Sequence, residues 1–459
     1  MDKKHVIKLS MINLWCNKNL VDSQLFLWKL LSENSDKIEF YTDPYDNKVE
    51  IVLLNTCWFI SSWREEMFHN IKDLLSKKKK ICLIWCGVQY FEKVLKDNQN
   101  IWKIDIYTKQ ELDNRNKILS NENIWYLSRN DLTLANIKNL FSRSKTFDDF
   151  CRYSAPRLLT NYENHYEYLK IAEWCNNSCA FCIIPKIRWK LTSLPIKSIL
   201  SEAENLLKQW IEELIILAQD TMRYWTDFSS KSQLLPLLHE LDNLPYNFKY
   251  RVLYLYPDIL TLKQLQDFAT LRKFIPYFDI PLQHISPKLL KSMWRFYDDN
   301  MIHLLLKSIR KLFPKSFIRT NIIIWFPWET DEDIELLEKF LNEDYFDNIA
   351  LFEYHDEPLA LSSSFENKAP YNVINKRFNK IKKQVDKLLS NHEKNRKNCK
   401  EIWYVESIKQ YKNWYLMSIR PEINCPEIDP LDKVKLENII QIFDADEITV
   451  WSKVEYIVK

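Results

Sequence analysis

The chain of 459 residues contains a single glycine, Gly87. Average usage of about 7% would give roughly 32 in a chain of this length. Glycine enters positive φ without a steric penalty, so turns and helix C-termini draw on it. An α/β protein almost without glycine has to force bulky residues into such positions, at about 1–3 kcal/mol each. Long apolar runs are missing as well. No stretch of roughly 18 apolar residues occurs, and the opening MDKKHVIKLSMINLW lacks the apolar core of a secretory leader. The expectation is a cytoplasmic protein with no membrane association. Neither sign of charge is in excess, and a net charge of +3 is too small to argue for a nucleic-acid partner.

Tryptophan is abundant instead, with 17 residues. Many stand where glycine is expected. Trp325 and Trp328 straddle Phe-Pro directly after an apolar run in NIIIWFPWETDED, a turn setting. Trp210 follows a helical pattern, at the place where glycine ends helices. Trp58 and Trp85 lie beside cysteines just past strand-like runs, and Trp414 follows Asn in a hairpin setting. Some bacteria read the codon UGA as glycine where common alternative tables read it as tryptophan. Translation under the wrong table produces this pattern. Trp and Gly together number 18, a tolerable glycine content. The expectation is glycine at most of these positions in the natural protein. The alternative, a protein rich in aromatic platforms, does not concentrate tryptophan at turns.

Length suggests two or three domains, and a hydrophobic content of 46% excludes general disorder. Residues 5–145 alternate apolar strand-like runs (EIVLLNTC, KICLIWC) with helical patterns (VDSQLFLWKLLSEN, REEMFHNIKDLLSKKKK), the rhythm of an open α/β domain. Three of the runs end at Cys16, Cys57 and Cys86, where such domains carry their chemistry. A polar stretch near 142–165 leads to a second alternating region, 160–375. Its six or so βα units suggest a full or partial (β/α) barrel with function at the strand C-termini. Residues 376–398 continue an amphipathic basic helix, and 399–459 read as a small β-barrel.

The stretch IAEWCNNSCAFCIIPKIRWK sets Cys175, Cys179 and Cys182 in a CxxxCxxC spacing. Ten cysteines in a reducing compartment point to metal or catalysis rather than disulfides. Three thiolates on one loop can hold a four-iron cluster and leave one iron open to a small molecule. A zinc site needs a fourth ligand, and the nearest histidine, His165, lies ten residues upstream. Weaker candidates lie at further strand ends: Gln219, Asp220 and Thr221; Asp279, Gln283 and His284; and Arg319 with the WFPWE turn and Glu329. For each of these a structural hydrogen bond is the plain alternative.

The CxxxCxxC run after a first barrel strand resembles the radical S-adenosylmethionine (SAM) superfamily. That resemblance implies a 4Fe-4S cluster on Cys175, Cys179 and Cys182, with SAM on the open iron. Its cleavage yields a 5′-deoxyadenosyl radical that abstracts hydrogen. It also implies that Gln219, Arg319, Trp325, Trp328 and Glu329 adjoin SAM. With Cys16, Cys57 and Cys86, almost the whole chain resembles the methylthiotransferase family: a three-cysteine domain for a second 4Fe-4S cluster, a radical SAM barrel and a C-terminal TRAM domain. LWCNKNLVDSQ is similar to the RimO branch pattern LGCPKNLVDSE rather than the GCQMN of the MiaB branch. ILAQDTMRYWTD, YFDIPLQHIS and RPEINCPEID also resemble RimO. Where those motifs carry glycine, this chain carries Trp15, Trp58, Trp85, Trp174, Trp189, Trp225, Trp325 and Trp328. Asn17 and Gln24 depart from the family's Pro and Glu without removing a ligand.

The resemblance implies methylthiolation of an aspartate β-carbon in a small-subunit ribosomal protein, with two SAM molecules and a low-potential flavodoxin- or ferredoxin-like electron donor. A tRNA adenosine is the alternative substrate. A non-catalytic ribosome- or RNA-binding protein with structural clusters is a third reading. Residues 400–459 carry 8 Lys/Arg against 11 Asp/Glu, which suits a basic protein better than tRNA phosphates. Cys82, Cys151, Cys399 and Cys425 match no ligand position and are expected to be ordinary.

Overall fold

The computed structural model describes residues 6–14, 16–56, 61–85, 123–127, 157–159, 164–187, 190–357, 359–368, 371–396, 400–412, 414–436 and 453–457. The chain divides into two compact units. One comprises residues 1–160, 168–205 and 355–364, and the other 161–167, 206–354 and 365–459.

The first unit is built on a parallel sheet of β1 (Ile7–Asn13), β2 (Ile38–Phe40), β3 (Ile51–Thr56), β4 (Lys80–Trp85) and β5 (Ile124–Leu127), in the order β2-β1-β3-β4-β5. Every residue of β3 is buried, as a central strand covered on both faces requires. Its side chains alternate between two cores. Ile51 and Leu53 pack with Phe26, Leu27 and Leu30 of α1 (Asn17–Glu33). Val52 and Leu54 pack with Met67, Phe68, Ile71 and Leu74 of α2 (Ser61–Ser76). The same unit holds the β-ribbon of β7 (Ala172–Glu173) and β8 (Thr192–Ser193), the short helix α3 (Ile184–Ile187) and all but the last two residues of α4 (Ile196–Leu207).

The second unit carries β9 (Glu213–Leu217), β10 (Lys249–Val252), β11 (Phe274–Gln283), β12 (Phe317–Ile324) and β13 (Asn348–Glu353), each parallel to its neighbour. With β6 (Tyr166–Lys170), whose last three residues are counted in the first unit, at the edge, the order is β13-β12-β11-β10-β9-β6. This is a partial barrel in sheet order, with helices between its strands. They are α5 (Leu234–Asp242), α6 (Leu262–Phe268), α7 (Pro287–Ser292), α8 (Asp299–Leu312) and α9 (Asp331–Leu341). The helix expected after the barrel is α10 (Tyr371–Arg396).

The C-terminal strands β14 (Lys400–Tyr411), β15 (Trp414–Pro421), β16 (Asp432–Leu436) and β17 (Lys453–Ile457) form an antiparallel sheet in the order β16-β15-β14-β17. β16 gives no strand signal in the sequence, because DKVKL has only two apolar residues. This module is anchored within the second unit by buried charge. Arg251 donates to Glu213 Oε1 at 2.6 Å and to the carbonyls of Glu422 and Ile423, both at 2.8 Å. Arg420 donates to Glu406 Oε1 at 2.6 Å, to the Asn424 carbonyl at 2.7 Å and to His165 Nε2 at 3.1 Å.

Among the described residues six tryptophans take left-handed backbone: Trp174 (φ 65°), Trp210 (69°), Trp225 (74°), Trp294 (59°), Trp325 (74°) and Trp328 (69°). An L-residue with a side chain is disfavoured there, an aromatic one strongly. Trp294 was not singled out from the sequence. Trp85 and Trp414 differ from expectation: each lies in a strand, Trp414 opposite Tyr411 across the hairpin. Trp15, Trp58 and Trp189 lie outside the described residues.

Candidate active site

The CxxxCxxC segment belongs to the first unit and is clamped on both sides. Before it, β7 pairs with β8. After it, Ile183 enters the core shared by Leu14, Leu54 and Ala360. Within the loop the Cys182 amide donates to the Cys179 carbonyl at 3.0 Å, and the Ser362 amide donates to the Ala180 carbonyl at 2.8 Å. Asn176 Oδ1 accepts from the Leu191 amide at 2.8 Å, a tie that no local pattern signals. Trp174, buried at positive φ, makes the bend that turns the chain from β7 into the loop.

Cys175, Cys179 and Cys182 are each half-buried and form no disulfide. The Asn177 amide donates to Cys175 Sγ at 3.4 Å, a contact that favours thiolate. Among the described residues no three His, Cys, Asp or Glu side chains converge as a cage for one metal ion. A four-iron cluster makes no such demand, because each cysteine ligates a different iron. Three half-exposed thiols on a loop with fixed ends fit that group.

Cys16 lies in the same unit, as the N-cap of α1, where the Leu20 amide donates to its carbonyl at 2.9 Å. A helix N-terminus favours negative charge, and so thiolate. Cys57 and Cys86 lie outside the described residues. The strands that precede them, β3 and β4, are neighbours in register, Thr56 opposite Trp85, with β1 on the other side of β3. Cys82, by contrast, is in the core, and burial pushes its thiol up to about 12. Cys425 is likewise buried, its thiol pushed far up by desolvation.

The remaining sequence candidates occupy the second unit. Gln219 follows the end of β9, and its buried Oε1 has no hydrogen-bond partner among the described residues. A buried orphan acceptor at a strand end suits a polar ligand. Asp220 pairs with Arg223 at 3.1 Å, and Thr221 Oγ1 accepts from the Ala218 amide while donating to the Leu253 carbonyl. Both are structural partners. His284 is buried; its Nδ1 accepts from the Ser286 amide at 3.0 Å, and burial lowers its pKa to about 4. It is therefore neutral, with the proton on Nε2.

Trp325, Trp328 and Glu329 share one turn after β12. Glu329 Oε2 accepts from the Trp325 amide at 2.7 Å, closing the turn on itself. Arg377 of α10 donates to the Glu329 carbonyl at 2.8 Å. Burial pushes the Glu329 carboxyl up to about 7, against the Trp325 amide and Arg377, which favour its charge. Arg319 does not join this turn. It lies six residues back along the strand, about 20 Å at the usual rise per residue, and donates to Asp279 Oδ1 at 2.8 Å.

Residues 169–341 match the Radical SAM superfamily, and residues 8–106 match a family described only as "Uncharacterized protein family UPF0004". The ribosomal protein uS12 methylthiotransferase RimO of Clostridium novyi is 31% identical, over 98% of this chain and 96% of its own length. The RimO of Carboxydothermus hydrogenoformans is 31% identical over 94% of each chain. Among solved structures, the cobalamin-dependent S-adenosylmethionine radical enzyme OxsB superposes with a TM-score of 0.51 at 11% identity, over 83% of this chain and 56% of that one, a likeness of fold alone. A 4Fe-4S cluster and SAM are therefore the chain's cofactors, and it is an enzyme, a transferase. The chain belongs to the RimO family of radical SAM methylthiotransferases.

Proposed function

We propose that the chain adds a methylthio group to the β-carbon of an aspartate in ribosomal protein uS12. Two SAM molecules serve it, one as methyl donor and one as radical source, and two 4Fe-4S clusters, the second on Cys16, Cys57 and Cys86. The observation that carries this reading is the match to RimO along 96% of the relative's length at 31% identity. When bound, the first cluster supplies the electron that cleaves SAM, leaving a radical able to take the hydrogen from the substrate carbon. The protein's part is to hold, orient and exclude water. Cys175, Cys179 and Cys182 hold the cluster; the assignment of Gln219, Trp325, Trp328 and Glu329 to SAM rests on the family resemblance. Arg319, paired with Asp279, acts as a structural residue in this reading. A net charge of −3 over residues 400–459 favours a basic protein target over tRNA. A flavodoxin- or ferredoxin-like protein is the electron donor, and the cytoplasm is the site of action.

We infer further that Trp174, Trp210, Trp225, Trp294, Trp325 and Trp328 stand at glycine positions of the natural protein. Their positive φ supports this, and so does the placement of Trp174, Trp225, Trp325 and Trp328 at glycines of the RimO motifs.

The test is anaerobic reconstitution of the natural chain and of Cys175→Ala. Iron per chain is expected to fall by half in the variant. The natural chain, given SAM and reductant, is expected to add one methylthio mass to uS12. Mass gained on tRNA instead selects the tRNA reading, and iron without SAM cleavage selects the non-catalytic one.

A further inference from the structure

Helix α1 carries a buried polar face that its core packing does not require. Asn19, Asp22, Ser23 and Gln24 are all buried there. Asn19 Nδ2 donates to Asn55 Oδ1 at 3.1 Å and to the Thr56 carbonyl at 3.2 Å. Asn55 Nδ2 donates in turn to Ser23 Oγ at 2.8 Å, to the Asn19 carbonyl at 3.0 Å and to Asn13 Oδ1 at 3.2 Å. Thr56 Oγ1 extends the knot to the Ile84 carbonyl at 2.6 Å. Asn13, Thr56 and Ile84 stand at or next to the ends of β1, β3 and β4, the strands that run into Cys16, Cys57 and Cys86. One turn along α1, the Asp22 carboxylate accepts from Lys170, the last residue of β6, and Lys170 also donates to Glu173, two residues before Cys175. All of these residues lie in the first unit.

Three buried charges are a poor means to stability. Desolvation costs several kcal/mol per ion, and apolar residues of similar volume do as well or better. What a buried ion set provides is a fixed register between the segments it joins. We propose that Asp22 and Lys170 are positioning residues. They lock α1, and through the Asn19–Asn55 knot the ends of β1, β3 and β4, in a set register with the CxxxCxxC loop. A substrate carbon activated beside Cys175, Cys179 and Cys182 is thereby kept within reach of sulfur held beside Cys16, Cys57 and Cys86. This rests on the two-cluster reading given above.

The test compares the natural chain with Asp22→Asn/Lys170→Met/Glu173→Gln, which removes the ionic bridge and leaves no buried charge unpaired. Iron content and 5′-deoxyadenosine formation are expected to be unchanged. Methylthiolated uS12 per 5′-deoxyadenosine is expected to fall about tenfold to a hundredfold, the scale of a misplacement near 1 Å. The spin–spin interaction between the two reduced clusters, read by electron paramagnetic resonance, is expected to change. Asp22→Asn alone, which leaves Lys170 paired with Glu173, is expected to give a smaller loss of the same ratio, and it serves if the triple variant does not fold. An unmoved ratio with an unmoved spin interaction overturns this inference alone. Loss of iron from both sites makes the bridge merely structural and also overturns it. A single cluster in the natural chain overturns the two-cluster reading and this inference with it.

Discussion

At Trp210 the cost of a side chain at positive φ is plainest. The side chain is 89% exposed and the backbone is at φ 69°, so almost no burial offsets the steric penalty of a Cβ in the left-handed region. Trp210→Gly is expected to stabilise the chain by about 1–3 kcal/mol, read as a shift in the denaturant midpoint without a change of slope. Trp174 and Trp325 sit at the bends beside the cysteine loop and the Glu329 turn, so Trp174→Gly/Trp325→Gly is expected to raise SAM cleavage over a chain carrying both tryptophans. Protein from its natural source is expected to weigh less than this sequence implies, and a mass equal to it would sink the glycine reading. A second residue-scale expectation concerns acid. Burial first, then the Arg420 guanidinium, lowers His165 from 6.5 to about 3. Its ring is neutral when folded, accepts from Arg420 and stacks on Tyr404 at 4.2 Å. The unfolded chain binds a proton below about 6.5. The contribution of His165 is therefore whole above that pH and is lost as pH falls toward 3. Melting temperature is expected to drop between pH 7 and 4, and less steeply in His165→Phe.

Among the elements, α9 shows how far local rules reach. Thr330 and Asp333 form a reciprocal capping box at its start, a pattern visible as TDED in the sequence. Thr330→Ala is expected to cost about 1 kcal/mol in denaturant unfolding. The alternation of strands and helices, the long basic helix and the C-terminal hairpin were legible for the same reason: period and turn chemistry are carried by neighbouring residues. β16 was not legible, because an edge strand with charged residues lacks the apolar alternation that marks a strand. The cysteine loop was legible as a motif, whereas its clamps through Asn176 and Ser362 were not. They depend on β8 and on a segment far along the chain returning to it.

Over the whole molecule, Arg251 and Arg420 bind the C-terminal module to the strands of the second unit through Glu213, which pairs with both. Arg251→Ala leaves the Glu213 carboxylate buried beside one cation fewer and is expected to cost about 3–5 kcal/mol, measured by denaturant midpoint. Among the described residues no helix is long and apolar enough to cross a membrane, in keeping with the lack of apolar runs.

By itself the sequence determined the α/β class, the CxxxCxxC spacing and several of the turns that pass through positive φ. Each is a short-range property: a spacing within one loop, a period within one element, a φ demanded by one turn. Only the tertiary structure decided which distant groups meet. Asp22 and Lys170 are 148 residues apart, and Arg251 and Glu422 are 171 apart. No local preference encodes such pairs. They form because parallel strands bring remote segments side by side, and because a buried charge or amide must then find its partner there.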